Sequence, residues 1–389
     1  MVNIQILTNR HLVAAPFFSI TLGFEDAFVD SCDADLIYPT PRDFHKLVIS
    51  QSIPAHAWAG RILRKTNRAY QPLPETHLAQ PGKDLNVLFV LVMNGGWIDP
   101  LAAIPQWRQR YDVVVAYISD CWVVEALPRS LAQFDHIFVP YQEAQPLLAD
   151  LFKVPVSVLP FGTNVRSQGS PRTERFVDIT SYGRGCLNYH TAIFDSFNRP
   201  ERDLVYYVHS LLNQEYAPTL PYGPLRADYQ HTTLLTKMLC RSKAALAFSN
   251  TYTANTQSTM QNHIAHRSNF PVLGYRWFEI SAAGAAVLGR RPQTSLLEQY
   301  LGWEDATIEL PDDPQVGLEF IFDLLADKGR MAAIHRRNYY ENLVRNDWRH
   351  RIKTMFETLA IPLPEKIQAQ LKAKEEEYEQ ARKEIIVKM

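Results

Sequence analysis

Continuous apolar runs, rather than alternating ones, mark the first half of the chain. Val87-Leu88-Phe89-Val90-Leu91-Val92 is the clearest, and strands are predicted at 3–7, 36–38, 86–93, 113–118, 136–139 and 156–159. A strand that is apolar at every position is buried on both faces, as in a parallel sheet covered by helices. Stretches of helical character at 99–110 and 142–152 separate the runs, so the rhythm predicts a doubly wound α/β sheet. Leu159-Pro160-Phe161-Gly162-Thr163-Asn164 closes the series as a linker, and a polar, Arg-rich stretch follows to Arg175.

A second series then begins. Strands are predicted at 176–180, 203–208, 244–249 and 285–288, with helices at 233–241, 316–326 and 329–344. Gly274 to Gly284 reads as a loop running into a helix of small residues. The pattern predicts two doubly wound, Rossmann-like domains, residues 1–160 and 161–345, facing across a cleft, with C-terminal helices over 346–389. From Glu365 onward the chain is rich in Glu, Lys, Gln and Ala, and Pro364 suits a helix start. Ile367, Leu371, Tyr378 and Ile385 form a narrow stripe at spacings of 4, 7 and 7, with Lys374 left polar in the gap. Such a helix either packs on one domain or assembles the chain with a second copy or a partner.

Composition adds exclusions. The chain has 389 residues, a two-domain length, with 46% hydrophobic and 21% charged residues, as in ordinary globular proteins. Its 40 Lys+Arg balance 41 Asp+Glu, so no overall charge points to nucleic acid or an anionic membrane. An anion site must then be a local basic cluster. Cys32, Cys121, Cys186 and Cys240 are scattered without a Cys-x-x-Cys pair, which argues against zinc or a disulfide framework. Arg10 and His11 interrupt the first apolar stretch, and no run reaches a spanning length. A cytoplasmic protein is the expectation.

Ligands of doubly wound sheets bind beyond the carboxyl ends of the strands. Polar residues after predicted strands are therefore the candidates. Gly183-Arg184-Gly185 follows the first strand of the second series: it is either a turn or a place where backbone and guanidinium approach a phosphate. Gly274, Arg276 and Glu279 open the small-residue helix, whose N-terminus favours an anion. Arg276 sits where a cation is intrinsically unfavourable unless an anion lies beside it. Glu279 either accepts hydrogen bonds from a ribose diol or caps the helix while paired with Arg276. Asn250, in the long polar stretch 249–262, suits a donor-base or lid loop as well as a surface loop. His209 ends a strand and is a candidate contact to a donor sugar or a structural histidine. In the first series Asp120 is the leading general base, or else a helix N-cap, and Glu25 with Asp26 is the second choice. Asn94-Gly95-Gly96-Trp97 either lines an acceptor pocket or makes a plain turn. Asp33-Ala34-Asp35 precedes a strand and reads as a solvated turn rather than a metal-holding motif. His335 and His350 read as surface or interdomain contacts.

Three blocks carry a resemblance. Ser242-Lys243-Ala244-Ala245-Leu246-Ala247-Phe248-Ser249, Arg276-Trp277-Phe278-Glu279-Ile280-Ser281-Ala282-Ala283-Gly284-Ala285 and Asn346-Asp347-Trp348-Arg349-His350-Arg351 resemble, in order and spacing, the C-terminal domain of CgeB-like glycosyltransferases. These belong to the wider GT-B group that includes the group 1 glycosyl transferases. The resemblance covers about residues 176–355 and implies a GT-B fold whose second domain binds a nucleotide sugar. By it Glu279 would hold the ribose, Arg184 and Arg276 the phosphates, and Lys243 would belong to the donor-binding block or serve a structural role. It implies no metal and no cofactor beyond the nucleotide diphosphate sugar, with a UDP-sugar slightly favoured. One departure stands out: many retaining members carry a second glutamate eight positions earlier, where this chain has Pro271. The expected function is metal-independent glycosyl transfer to an unidentified acceptor. The alternative is a catalytically silent GT-B-like scaffold that assembles through its C-terminal helix.

Overall fold

The computed structural model describes residues 2–10, 19–42, 70–82, 84–93, 95–121, 127–183, 186–209, 232–249 and 271–387. The chain forms two compact units, Met1–Val13 with Glu25–Leu159, and Ala14–Phe24 with Pro160–Met389. The second unit thus takes in the segment ahead of Glu25 and everything after Leu159.

The first unit is built on strands β1 (Val2–Leu7), β2 (Asp35–Ile37), β3 (Leu85–Val92), β4 (Val113–Ile118), β5 (His136–Val139) and β6 (Val156–Val158). All neighbours are parallel, in the order β2-β1-β3-β4-β5-β6. β3 is central, and Val87 to Leu91 are at most 1% exposed, as an all-apolar run requires. Helix α1 (Ser19–Cys32) lays Phe28 on Phe89 with ring centroids 4.7 Å apart. Helix α2 (Ala144–Phe152) joins β5 to β6. The chain leaves β1 for β2 on one side and returns through β3 on the other, which sets a topological switch point at the carboxyl ends of β1 and β3. The helix expected at 99–110 is instead a 3-10 stretch, Gly95–Ala103, and a single turn, Trp107–Arg110. Pro100 and Pro105 supply no backbone N–H there and break the ladder of a regular helix. Asp33 and Asp35 are exposed; Asp33 adopts φ 50°, a turn conformation, while Asp35 is already the first residue of β2.

The second unit has a five-stranded parallel sheet. Its strands are β7 (Val177–Tyr182), β8 (Tyr206–His209), β9 (Ser242–Leu246), β10 (Ala286–Gly289) and β11 (Ile308–Glu309), in the order β11-β10-β9-β7-β8. The switch point lies between β7 and β9. Helices α3 (Leu187–Phe197), α4 (Tyr275–Ala282), α5 (Ser295–Leu301), α6 (Pro314–Ala326), α7 (Lys328–Arg345) and α8 (Trp348–Thr358) follow in chain order. One core joins Tyr189, Ile193 and Phe197 of α3 to Ile321 and Leu324 of α6 and Ile334 of α7. Gly284, at φ 77°, ends α4 where an added Cβ would come within 2.4 Å of the Ser170 carbonyl. Glycine alone serves there. β9 begins two residues earlier than expected because Ser242 pairs with Val177.

Residues 346–351 fasten the segment that leaves the first unit. The Thr163 amide donates to Asn346 O and the Trp348 amide to Thr163 O, both at 2.9 Å. The buried Arg351 guanidinium donates to the carbonyls of Pro160 and Phe161. Trp348 stacks on Phe24 at 4.1 Å. His335 is not a surface residue: it is 1% exposed, its Nδ1 lies 2.8 Å from the Gly284 carbonyl, and burial pushes its pKa down to about 3. His350 is also held neutral by burial, at about 4, beside the Leu343 carbonyl.

The C-terminal helix α9 (Glu365–Val387) packs on α7 and α8. Much of its stripe packs within the chain: Ile367, Leu371 and Ala381 are buried, and Tyr378 donates to Glu341 of α7, while the Ile385 side chain lies outside the described residues. Lys374, polar in the gap of the stripe, is itself 1% exposed and donates to Asp347 Oδ2 at 2.9 Å. The stripe from Ile367 to Tyr378 is therefore an internal contact. Among the described residues, no helix is long and apolar enough to cross a membrane.

Candidate functional site

The strongest constellation lies at the carboxyl end of β7. Tyr182 is the last residue of the strand, and Gly183 turns the chain with φ 65°. The exposed face of that turn receives Arg276 from the first turn of α4. A Cβ at Gly183 would meet the Arg276 guanidinium nitrogen at 2.2 Å, and the guanidinium carbon lies 5.1 Å from the Tyr182 ring centroid. The Tyr182 hydroxyl donates to Glu279 Oε2 at 2.7 Å. Four residues from β7 and α4 are thus gathered at one edge of the sheet.

Why α4 begins where it does is local. Gly274 occupies the N-cap with extended φ and ψ, and no side chain caps the helix. Among the described residues, an added Cβ at Gly274 would meet nothing within 4 Å. Burying Trp277, Phe278 and Ile280 against the second unit fixes the helix, and Arg276 keeps a half-buried position. Glu279 is the fifth residue of α4 and does not cap it, contrary to one of the two readings of its position. It is 6% exposed, and burial raises its carboxyl to about 7 while the Tyr182 hydrogen bond and Arg276 pull it down. Burial also pushes the Tyr182 phenol upward, so it stays a donor.

The raised Glu279 carboxyl has a measurable consequence. Below pH 4.5 both folded and unfolded forms are protonated; between 4.5 and about 7 only the unfolded form ionises. Stability must fall as pH rises through that window. Glu279→Gln keeps an acceptor for Tyr182 and removes the titration. The variant is expected to gain up to about 3 kcal/mol over the parent at pH 8 and nothing at pH 4. Denaturation midpoints at those two pH values check this.

The first unit has a second buried carboxylate at its own switch point. Thr8 Oγ1 donates to Glu25 Oε2 at 2.7 Å, and Arg10 Nε donates to the same oxygen at 3.0 Å. Arg10 also reaches Asp26 at 2.7 Å. Glu25 is 1% exposed and burial raises it to about 7. Asn9, also buried, donates to the Trp97 carbonyl and so ties the end of β1 to the segment after β3. Asp120 follows β4, is half-buried, and its amide donates to the Met93 carbonyl. Both base candidates therefore stand beyond carboxyl ends of strands of the first sheet.

The remaining candidates divide. His209 pairs in register with Tyr182, which brings its backbone to the same edge; its side chain lies outside the described residues. Arg184 and Asn250 also lie outside them. Lys243 is not brought to the cluster. It is the second residue of β9, at the amino edge of the sheet, and its ammonium pairs with the buried Asp178 at 2.5 Å. Asp178 also accepts from the Val205 amide, so this pair joins β7, β8 and β9 at their starts. Tyr182, Thr8 and Arg10 were not singled out from the sequence. Their position directly after or at the end of an apolar strand is the signal that marks them.

No model of a known protein family matches the chain, and no curated protein matches its sequence. Solved structures do. An alpha-glucosyltransferase in complex with UDP-glucose and DNA containing an abasic site is 11% identical with a TM-score of 0.52, over 92% of this chain and 99% of that one. Anabaena HepE in complex with UDP and glucose gives a TM-score of 0.47 at 11% identity over the same shares. The pneumococcal O-GlcNAc transferase GtfA in complex with UDP and GlcNAc gives 0.40 at 10%, over 79% of this chain and 60% of that one. At such identities the likeness is one of fold, and the first of the three carries it. With two parallel doubly wound sheets of six and five strands, this chain has the GT-B fold.

Proposed function

We propose that the chain transfers a sugar from a nucleoside diphosphate sugar, a UDP-sugar first among them, to an acceptor hydroxyl. The observation that carries this reading is the gathering of Gly183, Arg276 and Glu279 around Tyr182 at the switch point of the second sheet. Such an edge takes nucleotides in doubly wound folds. Arg276 and the N-terminus of α4, which no side chain caps, would provide positive potential for the diphosphate, which is where charge develops as the sugar leaves. On that ground we take the transfer to be metal-independent. Glu279 provides a buried acceptor for the ribose diol. UDP and UDP-sugars are bound by the proteins of similar fold, which is the reason to try uridine donors first. Membership of the CgeB-like branch is part of the same reading and rests on the three sequence blocks.

On the acceptor side, Asp120 and Glu25 are the general-base candidates for an inverting transfer. Glu25, raised to about 7 by burial, is tuned to take a proton near neutral pH. With Pro271 in place of the family's first glutamate, a retaining route would need another group beside the sugar. The silent-scaffold reading is the weaker one, because Ile367 and Leu371 of the stripe meant to assemble the chain are buried on α7 and α8.

The test is thermal denaturation of the full chain with UDP, GDP, ADP, CMP and dTDP and their sugars. One base class is expected to raise the midpoint; at a hundredfold excess over Kd the gain is about 2.7 kcal/mol. Hydrolysis of the corresponding sugar donor should then be detectable. Folded protein that responds to none of these ligands would overturn the reading.

A further inference from the structure

We propose that Tyr182 is a positioning residue of the donor site: its hydroxyl occupies one oxygen of Glu279 and leaves the other for the ribose diol, while its ring face holds the Arg276 guanidinium. This rests on the nucleotide-sugar reading above.

The geometry assigns both halves of the role. The 2.7 Å hydrogen bond ends on Oε2 of Glu279, so the carboxylate is fixed in rotation with Oε1 on the other side. A carboxylate held by one donor presents its second oxygen at a defined place, which a mobile side chain would not. The guanidinium carbon stands 5.1 Å from the centroid of the same ring, within range of a cation–π contact. Gly183, next in sequence, leaves the space into which that guanidinium fits. One side chain at the end of β7 therefore sets the positions of the two α4 groups that the donor needs.

The hydroxyl also sets the charge state of the carboxylate. Among the described residues, the titratable and charged groups that face Glu279 are Tyr182 from β7, and Arg276 and Tyr275 from its own helix. A phenol donating to a carboxylate favours the ionised form. That form is acceptor-only and charged, and so binds a diol more strongly than the protonated acid does. Removing the hydroxyl must push the Glu279 titration upward, whereas Arg276 keeps its ring platform in Tyr182→Phe.

The experiment is calorimetric titration of UDP into the parent and the Tyr182→Phe protein between pH 6.5 and 9. The UDP terminal phosphate titrates near pH 6 for both proteins, so the difference between them reports the protein. Parent affinity is expected to rise with pH and level off. The variant should reach a similar plateau at high pH but with its midpoint displaced by roughly one pH unit, leaving affinity about tenfold lower near neutrality. A loss that is uniform across pH, or no loss at all, overturns the positioning role. In parallel, the Glu279 carboxyl is titrated by carbon-13 NMR without nucleotide, its resonance identified by its disappearance in Glu279→Gln. A midpoint that stays put on Tyr182→Phe substitution overturns the role, whatever UDP does. A midpoint that moves in a protein that binds no UDP overturns the donor reading instead, so the two failures are told apart.

Discussion

Lys374→Met is expected to cost the second unit about 3 kcal/mol of stability, within the range for breaking a buried ion pair. The Lys374 ammonium is at 2.9 Å from Asp347 Oδ2, and the two side chains are 2% and 0% exposed. Methionine preserves most of the buried stem, so the loss reports the charge. Asp347 would keep the Arg349 guanidinium at 3.0 Å and the amides of Val165 and Arg349, which is why the effect falls short of a fully isolated charge. Its carboxyl is held below the ordinary range: burial raises it, but Lys374 and Arg349 together pull harder. The stabilisation is therefore present above the ordinary carboxylate pKa and lost in acid, and the variant should differ least from the parent at low pH. Denaturant midpoints of the parent, Lys374→Met, Asp347→Asn and the double variant give the coupling. A double variant as stable as the sum of its parts would contradict the pairing. Deleting α9 should be more damaging still, since it removes Ile367 and Leu371 from the contact with α7 and α8.

Arg276→Ala is expected to weaken nucleotide binding by roughly 10- to 100-fold, the loss of one or two charge-assisted hydrogen bonds to a diphosphate. The fold should be little affected, because Arg276 is half-buried while its neighbours Trp277 and Phe278 carry the packing. Gly183→Ala probes the same contact from the other side. A methyl there would lie 2.2 Å from the Arg276 guanidinium, which must move off the Tyr182 ring, and φ 65° is costly for alanine. The expected signature is a binding loss approaching that of Arg276→Ala, with added destabilisation of about 1 kcal/mol. Titration of UDP against the three proteins checks it. Equal affinity in all three would remove Arg276 and Gly183 from the site.

Both sheets place a buried glutamate at their switch points, Glu25 in the first and Glu279 in the second, each raised to about 7. The partners differ in kind. Glu25 accepts from an arginine and a threonine, so its charge is compensated where it stands. Glu279 accepts from a neutral phenol, with Arg276 contributing only through its field.

The sequence by itself determined the two parallel sheets, the loop running into α4 after Gly274 and the long C-terminal helix. Those features are local: an all-apolar run reports burial on both faces, and a cap or a periodicity is read within a few residues. Only the tertiary structure decided which side chains meet. Tyr182 and Glu279 are 97 residues apart, and nothing in either segment announces the other. Lys243 matched a family block, yet the register of β9 against β7 carries it to the amino edge, where Asp178 neutralises it. Lys374 looked like the polar gap of an assembling stripe until Asp347, 27 residues earlier, met its ammonium in the interior. Periodicity encodes which face of an element is buried; the partner it is buried against depends on how strands pair and helices cross, and those are set by the whole chain at once.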